Sequence, residues 1–250
     1  MSVGAFIVVQ LSSSRLPAKG IMKILEKPMI ELMIKRVQHS RRIDKVVITT
    51  SQLPSDDPLE ELAEQLGVGC YRGALEYVME RISGAAEAFK CDTVVELLGD
   101  NPLVHSDLID DVIDLHTSKE CDYTATLTKE YPLSGETFMP FSAGIRVQAY
   151  SKNACEKYSE YPDYINNEDK HPCAYIFEHP DTFRLEFLEA VGKWTFLNRP
   201  DLNFAVNYKK NFDLVRSVFE MLHPKNANFS LKQVCDLLDR ERHLYLQMGL

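Results

Sequence analysis

The stretch AFIVVQ, Ala5 to Gln10, is an apolar run that ends in one polar residue, and it recurs in kind as KVVITT, Lys45 to Thr50, and DTVVELL, Asp92 to Leu98. Runs of this length without polar alternation are the pattern of strands buried on both faces. Between them lie segments of helical periodicity. These are Pro28 to Ser40, with its proline placed for a first turn, Asp57 to Leu66, closed by Gly67, and Tyr77 to Phe89. A further helix is expected from Ser106 to Ser118, with Ser106 as its N-cap. Strand and helix alternating in this way predict βαβ units and a mostly parallel sheet.

From Cys121 the pattern loosens. YPLSGETFMPFSAG is rich in turn residues and YPDYINNEDKHP is polar, before the strand-like FRLEFLEA and a helical segment from Asn211 to Leu222. No repeat, low-complexity tract or composition break marks a linker, so residues 1–250 read as a single domain with a loop-rich lobe over about 121–185. The 250 residues are 45% hydrophobic and 26% charged, which excludes a disordered, collagenous or coiled-coil chain. With 37 acidic against 28 basic residues the formal charge is −9, which argues against a sequence-independent grip on nucleic acid or an anionic membrane. The six cysteines are scattered singly, without zinc spacing, and fit a reducing cytoplasm. No apolar run approaches the ~20 residues that span a bilayer, and no leader pattern opens the chain, so a cytoplasmic location is expected.

Two places could carry chemistry. The first strand runs into LSSSRLPAKG, a small-residue loop with Arg15 and Lys19 and no acidic neighbour. Backbone amides beside serines can converge on phosphate oxygens while the two cations neutralise charge, at the carboxyl end of a strand where open α/β sheets bind ligands. Neither GxxxxGK[ST] nor GxGxxG is present, and a plain polar turn with solvated cations is the competing reading. The second place is LLGDNP, Leu97 to Pro102, where Asp100 ends a buried strand. A carboxylate there is a natural magnesium ligand, because magnesium is held by one or two carboxylates, phosphate oxygens and water. The competing role is a turn or helix cap.

The order of segments resembles the bacterial cytidylyltransferases that make CMP-activated acidic sugars. It is most similar to the spore-coat polysaccharide branch and more distantly similar to the CMP-Kdo and CMP-sialate synthetases. QLSSSRLPAK stands for that family's QARMGSTRLPGK, LEKPMI for LAGKPLL, IDKVVITT for IDEVVVATS, and ELLGDNPL for RITGDCPL. DDPL at Asp56 to Leu59 and the YRG and VMER blocks at Tyr71 and Val78 keep the same order, while KHPCAYIFEHP and RPDLNFAVNYKKNFDLV extend it over most of the chain. The resemblance implies a mixed, mostly parallel sheet with helices on both faces, of the Rossmann-like nucleotide-diphospho-sugar transferase type. It also implies attack of an acceptor oxygen on the α-phosphorus of CTP with loss of pyrophosphate. On it, Arg15 and Lys19 hold the triphosphate and Asp100 binds Mg2+, with Gln10, Leu11, Ser12, Ser13 and Ser14 around the nucleotide. Arg72 and Arg81 match basic positions near nucleotide or acceptor, unless they pair with helix-face acids such as Glu76 or Glu80. Glu136 and His171 fall on the acceptor side, and a homodimer is implied, to which Tyr158, Tyr161 and Tyr164 could contribute.

The departures are informative. The loop is two residues shorter than the family's and lacks an arginine and a glycine, with Ala18 before Lys19. Asn207 replaces a carboxylate that would join Asp100 at the metal, Asn211 replaces another acid, and Asn203 and Glu96 replace arginines. An asparagine oxygen can ligate a hard cation but adds no charge. The sequence therefore fits three functions: CMP transfer to an acidic sugar, a catalytically weakened nucleotide-sugar-binding subunit, and transfer to a phosphorylated or phosphonate acceptor.

Overall fold

A computed structural model describes residues 1–129, 138–159 and 174–246. Its strands are β1 Val3–Val8, β2 Lys23–Ile24, β3 Lys27–Pro28, β4 Lys45–Ser51, β5 Gly69–Gly73, β6 Thr93–Leu98, β7 Tyr123–Thr126, β8 Val147–Ser151 and β9 Leu185–Leu188. Among the described residues seven of them form one sheet in the order β5-β4-β1-β6-β8-β7-β9. β8 alone runs against its neighbours, pairing antiparallel with both β6 and β7. The mixed, mostly parallel sheet is thus as expected.

β1 sits between β4 and β6, parallel to both, and Ala5, Phe6 and Ile7 are fully buried. That central place is why its sequence lacks polar alternation. The first five helices are α1 Met29–Val37, α2 Asp57–Leu66, α3 Val78–Ala88, α4 Ser106–Ser118 and α5 Lys152–Ser159. Side chains of α1, α2, α4 and the helices Lys209–Leu222 and Leu231–Arg240 pack with Ile7, Val95 and Leu97 on one face of the sheet. Those of α3 and α5 pack with Phe6, Val94 and Tyr150 on the other. From β1 the chain builds outward through β4 and β5, then returns to lay β6 on the opposite side of β1. The carboxyl ends of β1 and β6 therefore form the switch point at which open α/β sheets bind ligands.

Several boundaries differ from the sequence reading. Lys27–Pro28 pairs with Lys23–Ile24 across Leu25 and Glu26, both at positive φ, so helix α1 starts only at Met29, with Pro28 at its N-cap. The N-cap of α4 is His105, whose Nδ1 accepts from the Asp107 amide at 3.2 Å, rather than Ser106. β7 and β8 place parts of the expected loop-rich lobe inside the main sheet, while residues 130–137 and 160–173 lie outside the described residues.

One close approach fixes the late part of the chain against the sheet. Phe204 donates its amide to Ala143 O at 2.8 Å, and Gly144 lies at φ +82°, where an added Cβ would sit 1.9 Å from Ala205 N. Only glycine fits this contact. Gly144→Ala is expected to cost more than about 2 kcal/mol through strain and forced separation. Thermal unfolding would measure it, and an unchanged midpoint would contradict the close approach.

Candidate active site

The loop after β1 is built by backbone bonds. Ala18 N–H donates to Leu11 O at 2.9 Å and closes the turn, with Ala18 itself left-handed at φ 56°. An L-residue there costs about 1–2 kcal/mol that glycine would not. Leu11 donates its amide to Asp56 Oδ1 at 2.8 Å, while Thr50 Oγ1 and Ser51 Oγ donate to Asp56 Oδ2 at 2.9 and 2.5 Å. Asp56 is fully buried; burial works to raise its pKa, but the bonds from Ser51, Leu11 and Thr50 outweigh it and hold the carboxyl below its usual value. Asp56 therefore anchors the loop to the end of β4 as a carboxylate. The sequence reading noted its DDPL block but assigned the residue no role.

At the switch point Gly99 donates to Val8 O at 2.8 Å, and a Cβ on Gly99 would come within 2.7 Å of Val9 Cβ. The two strand ends meet, and a cavity of about 390 Å³ opens above them. Of the candidate residues, Gln10, Ser12, Ser13, Ser14, Arg15, Lys19, Arg81 and Asp100 all line it. Lys19 is buried, its Nζ 2.9 Å from Asp100 Oδ2 and 2.9 Å from Val206 O. Val206 in turn donates its amide to Asp100 O at 2.8 Å. With its amide oriented to satisfy both ends, Asn101 donates to Asp100 Oδ1 at 3.2 Å and accepts from the Arg146 amide at 3.3 Å. Arg15 is exposed and has no hydrogen-bond or ion-pair partner among the described residues.

Arg81 is 2% exposed. Its Nη1 donates to Ala74 O and Leu75 O at 2.8 and 3.3 Å, which aims the guanidinium, and its Nε has no partner among the described residues. Neither Glu76 nor Glu80 pairs with it.

Other candidates stand elsewhere. Leu11 contributes a backbone anchor and buries its side chain in the core away from the cavity. Arg72 does not join the group: its guanidinium pairs with Asp57 at 2.7 Å and Glu60 at 2.8 Å, and donates to the Ser51 and Leu53 carbonyls. It holds α2 to the end of β4. Glu136 and His171 lie outside the described residues, as do Tyr161, Tyr164 and the side chain of Tyr158. Asn211 Oδ1 accepts from Tyr208 N at 3.0 Å and Asn203 Oδ1 from Ala205 N at 2.9 Å, so both secure backbone around Val206.

Glu96 also departs from expectation. Glu96, which stands where the resembled family has an arginine, is 1% exposed on β6, its Oε2 accepting from Tyr150 O–H at 2.6 Å. Burial raises its pKa, against the pull of Tyr150, Arg146 and Arg81. Its register partner is Gln148 of β8, and Tyr150 of the same strand donates to its carboxylate.

A magnesium ion would need oxygen donors here. Asp100 offers a carboxylate, and Asn207, next to the Val206 that bonds to Asp100, has a buried Oδ1 without a hydrogen-bond partner among the described residues. No group of three or more acidic, histidine or cysteine side chains suited to a metal occurs among the described residues. One carboxylate, one orphaned amide oxygen and room for phosphate oxygens and water fit magnesium, which is seldom caged by protein alone.

A basic, serine-rich loop and a strand-end carboxylate facing one another at the switch point of such a sheet are the equipment of a nucleotidyltransferase. Residues 5–220 match the family model described as cytidylyltransferase. The chain is 27% identical over 238 residues to the spore coat polysaccharide biosynthesis protein SpsF of Bacillus subtilis, covering 94% of this chain and 92% of that one. A cytidylyltransferase structure from Leptospira borgpetersenii superposes with a TM-score of 0.83 at 21% identity, over 98% of this chain and 97% of that one. A structure of CMP:2-keto-3-deoxy-manno-octonic acid synthetase complexed with CTP gives a TM-score of 0.63 at 16% identity, over 88% and 99%. The chain belongs to the cytidylyltransferase family and is a CTP-dependent nucleotidyltransferase. No helix among the described residues is long and apolar enough to cross a membrane.

The burial of Glu96 predicts a pH-dependent effect. A carboxyl whose pKa is raised in the fold leaves stability complete below the ordinary value, about 4, and loses it as pH rises toward the raised one. Glu96→Gln, permanently neutral, should therefore gain in thermal midpoint relative to the native chain as pH rises above about 4. Parallel curves for the two proteins would contradict the assignment.

Proposed function

We propose that this protein transfers CMP from CTP to an acidic sugar or related anionic acceptor, releasing pyrophosphate, for surface polysaccharide or glycoconjugate synthesis. The observation that carries the reading is the Lys19–Asp100 pair at the base of the cavity, facing Arg15 and Arg81. Attack of the acceptor oxygen on the α-phosphorus spreads charge over non-bridging oxygens, so catalysis lies in positioning and neutralisation. Arg15, free of protein partners among the described residues, is available to the triphosphate, and Lys19 can exchange one carboxylate oxygen for a phosphate oxygen. Arg81, held by two carbonyls, lines the same cavity. The loop amides from Ser12 to Ser14 complete the cradle. Asp100 and the Asn207 amide oxygen are the residues that would hold Mg2+, which when bound neutralises phosphate charge. The SpsF relative is named for spore coat polysaccharide biosynthesis, which supports a glycan destination. We read the protein as a cytoplasmic homodimer.

The neutral Asn207 also favours a second reading, a weakened homologue that keeps nucleotide binding. Pyrophosphate release separates the two. Offered each nucleoside triphosphate with Mg2+ and a panel of sugar acids and phosphorylated acceptors, the protein should release pyrophosphate only with CTP and an anionic acceptor. Asp100→Asn should lower kcat by about 100-fold or more with the fold unchanged by circular dichroism. Acceptor-independent release, a preference for another nucleotide, or full activity in that variant would overturn the proposal.

A further inference from the structure

The cavity carries Arg15, Lys19 and Arg81 against the single carboxylate of Asp100, a formal surplus of two positive charges. That carboxylate is already occupied. Lys19 Nζ bonds its Oδ2 at 2.9 Å and is fixed a second time by Val206 O at 2.9 Å, with the lysine and aspartate side chains only 11% and 22% exposed. Asn207, which follows the Val206 bonded to both Lys19 and Asp100, brings no charge, and its buried Oδ1 has no hydrogen-bond partner among the described residues. The donor set of Asp100, Asn207 and the Lys19 ammonium is therefore electrically neutral at rest. A free divalent cation finds no net attraction in it and repulsion from the rest of the cavity.

We propose that Lys19 occupies the cation's place on Asp100 in the resting protein, so that a divalent cation is admitted only together with the polyphosphate of the nucleotide. This rests on the CTP reading above. The triphosphate brings several negative charges, which give the ammonium a new partner and reverse the sign of the field at Asp100. Lys19 has a flexible four-carbon stem and a point charge, so it can make this exchange without moving the backbone. The Asn207 substitution is what makes the gating strict. An aspartate there would leave the donor set with a net negative charge even while Lys19 remains paired.

The test is a titration of the nucleotide-free protein with Mn2+, following free Mn2+ by electron paramagnetic resonance. The native chain should bind no Mn2+ below about 1 mM, whereas Lys19→Met and, separately, Asn207→Asp should each bind at least about tenfold more tightly. The two variants reach the same charge change by different routes, and Asn207→Asp leaves the buried lysine in place. Adding Asp100→Asn to Lys19→Met should abolish the gain. Nucleotide-free binding by the native chain as tight as in Lys19→Met, or a gain that survives loss of Asp100, would overturn the lysine's role. Adding CTP to the native chain should restore tight Mn2+ binding. Failure of that arm alone, with both variants behaving as expected, would count against the nucleotide reading and leave the lysine in the cation's place.

Discussion

The Lys19 ammonium, held at 2.9 Å from both the Asp100 carboxylate and the Val206 carbonyl, ties together the loop after β1, the end of β6 and a segment 187 residues further along. Each tether has a reason to be where it is. The loop is pinned by the amide of Leu11 on Asp56, the strand end by Gly99 against Val8, and the late segment by the approach of Gly144 to Ala205. A buried ion pair of this kind contributes little net stability, because desolvation offsets much of the attraction. Its geometry places a cation and an anion side by side in the wall of the cavity.

The constraint also explains local costs that the chain tolerates. Ala18 in the left-handed region and the orphaned Asn207 oxygen are unfavourable in isolation. Ala18 directly precedes the buried Lys19, and Asn207 directly follows the Val206 that accepts from it. Two other buried charges find partners in the protein. Arg36 is fully buried yet donates to the carbonyls of Val104, Leu103 and Phe229, and Asp56 accepts four hydrogen bonds.

Much of the parallel half of the sheet was legible in the sequence, because β1, β4 and β6 are buried on both faces and therefore read as continuous apolar runs. β5, GCYRG, escaped notice: two of its five residues are glycines, so neither apolar continuity nor alternation marks it. β7 and β8 are short strands rich in threonine and polar residues whose burial comes from neighbours brought in by tertiary structure, as with Glu96 and Tyr150. At the candidate site, the loop and Asp100 stood out in the sequence because cations without nearby acids and a strand-end carboxylate are visible in one dimension. Arg72 was misplaced for the opposite reason. Its partners Asp57 and Glu60 lie on a different element, and only the β4–β5 register brings them together. Asp56 was passed over because an aspartate before a proline-bearing helix start reads equally well as a cap.

The account centres on one cavity receiving a nucleoside triphosphate and displacing Lys19 from Asp100. A crystal structure of the protein grown with a non-hydrolysable CTP analogue tests this directly. The account predicts the phosphates against the loop from Ser12 to Lys19, with Lys19 Nζ bonded to a phosphate oxygen and no longer to Asp100. A triphosphate seated outside this cavity, or one seated within it while Lys19 keeps its bond to Asp100, would contradict it.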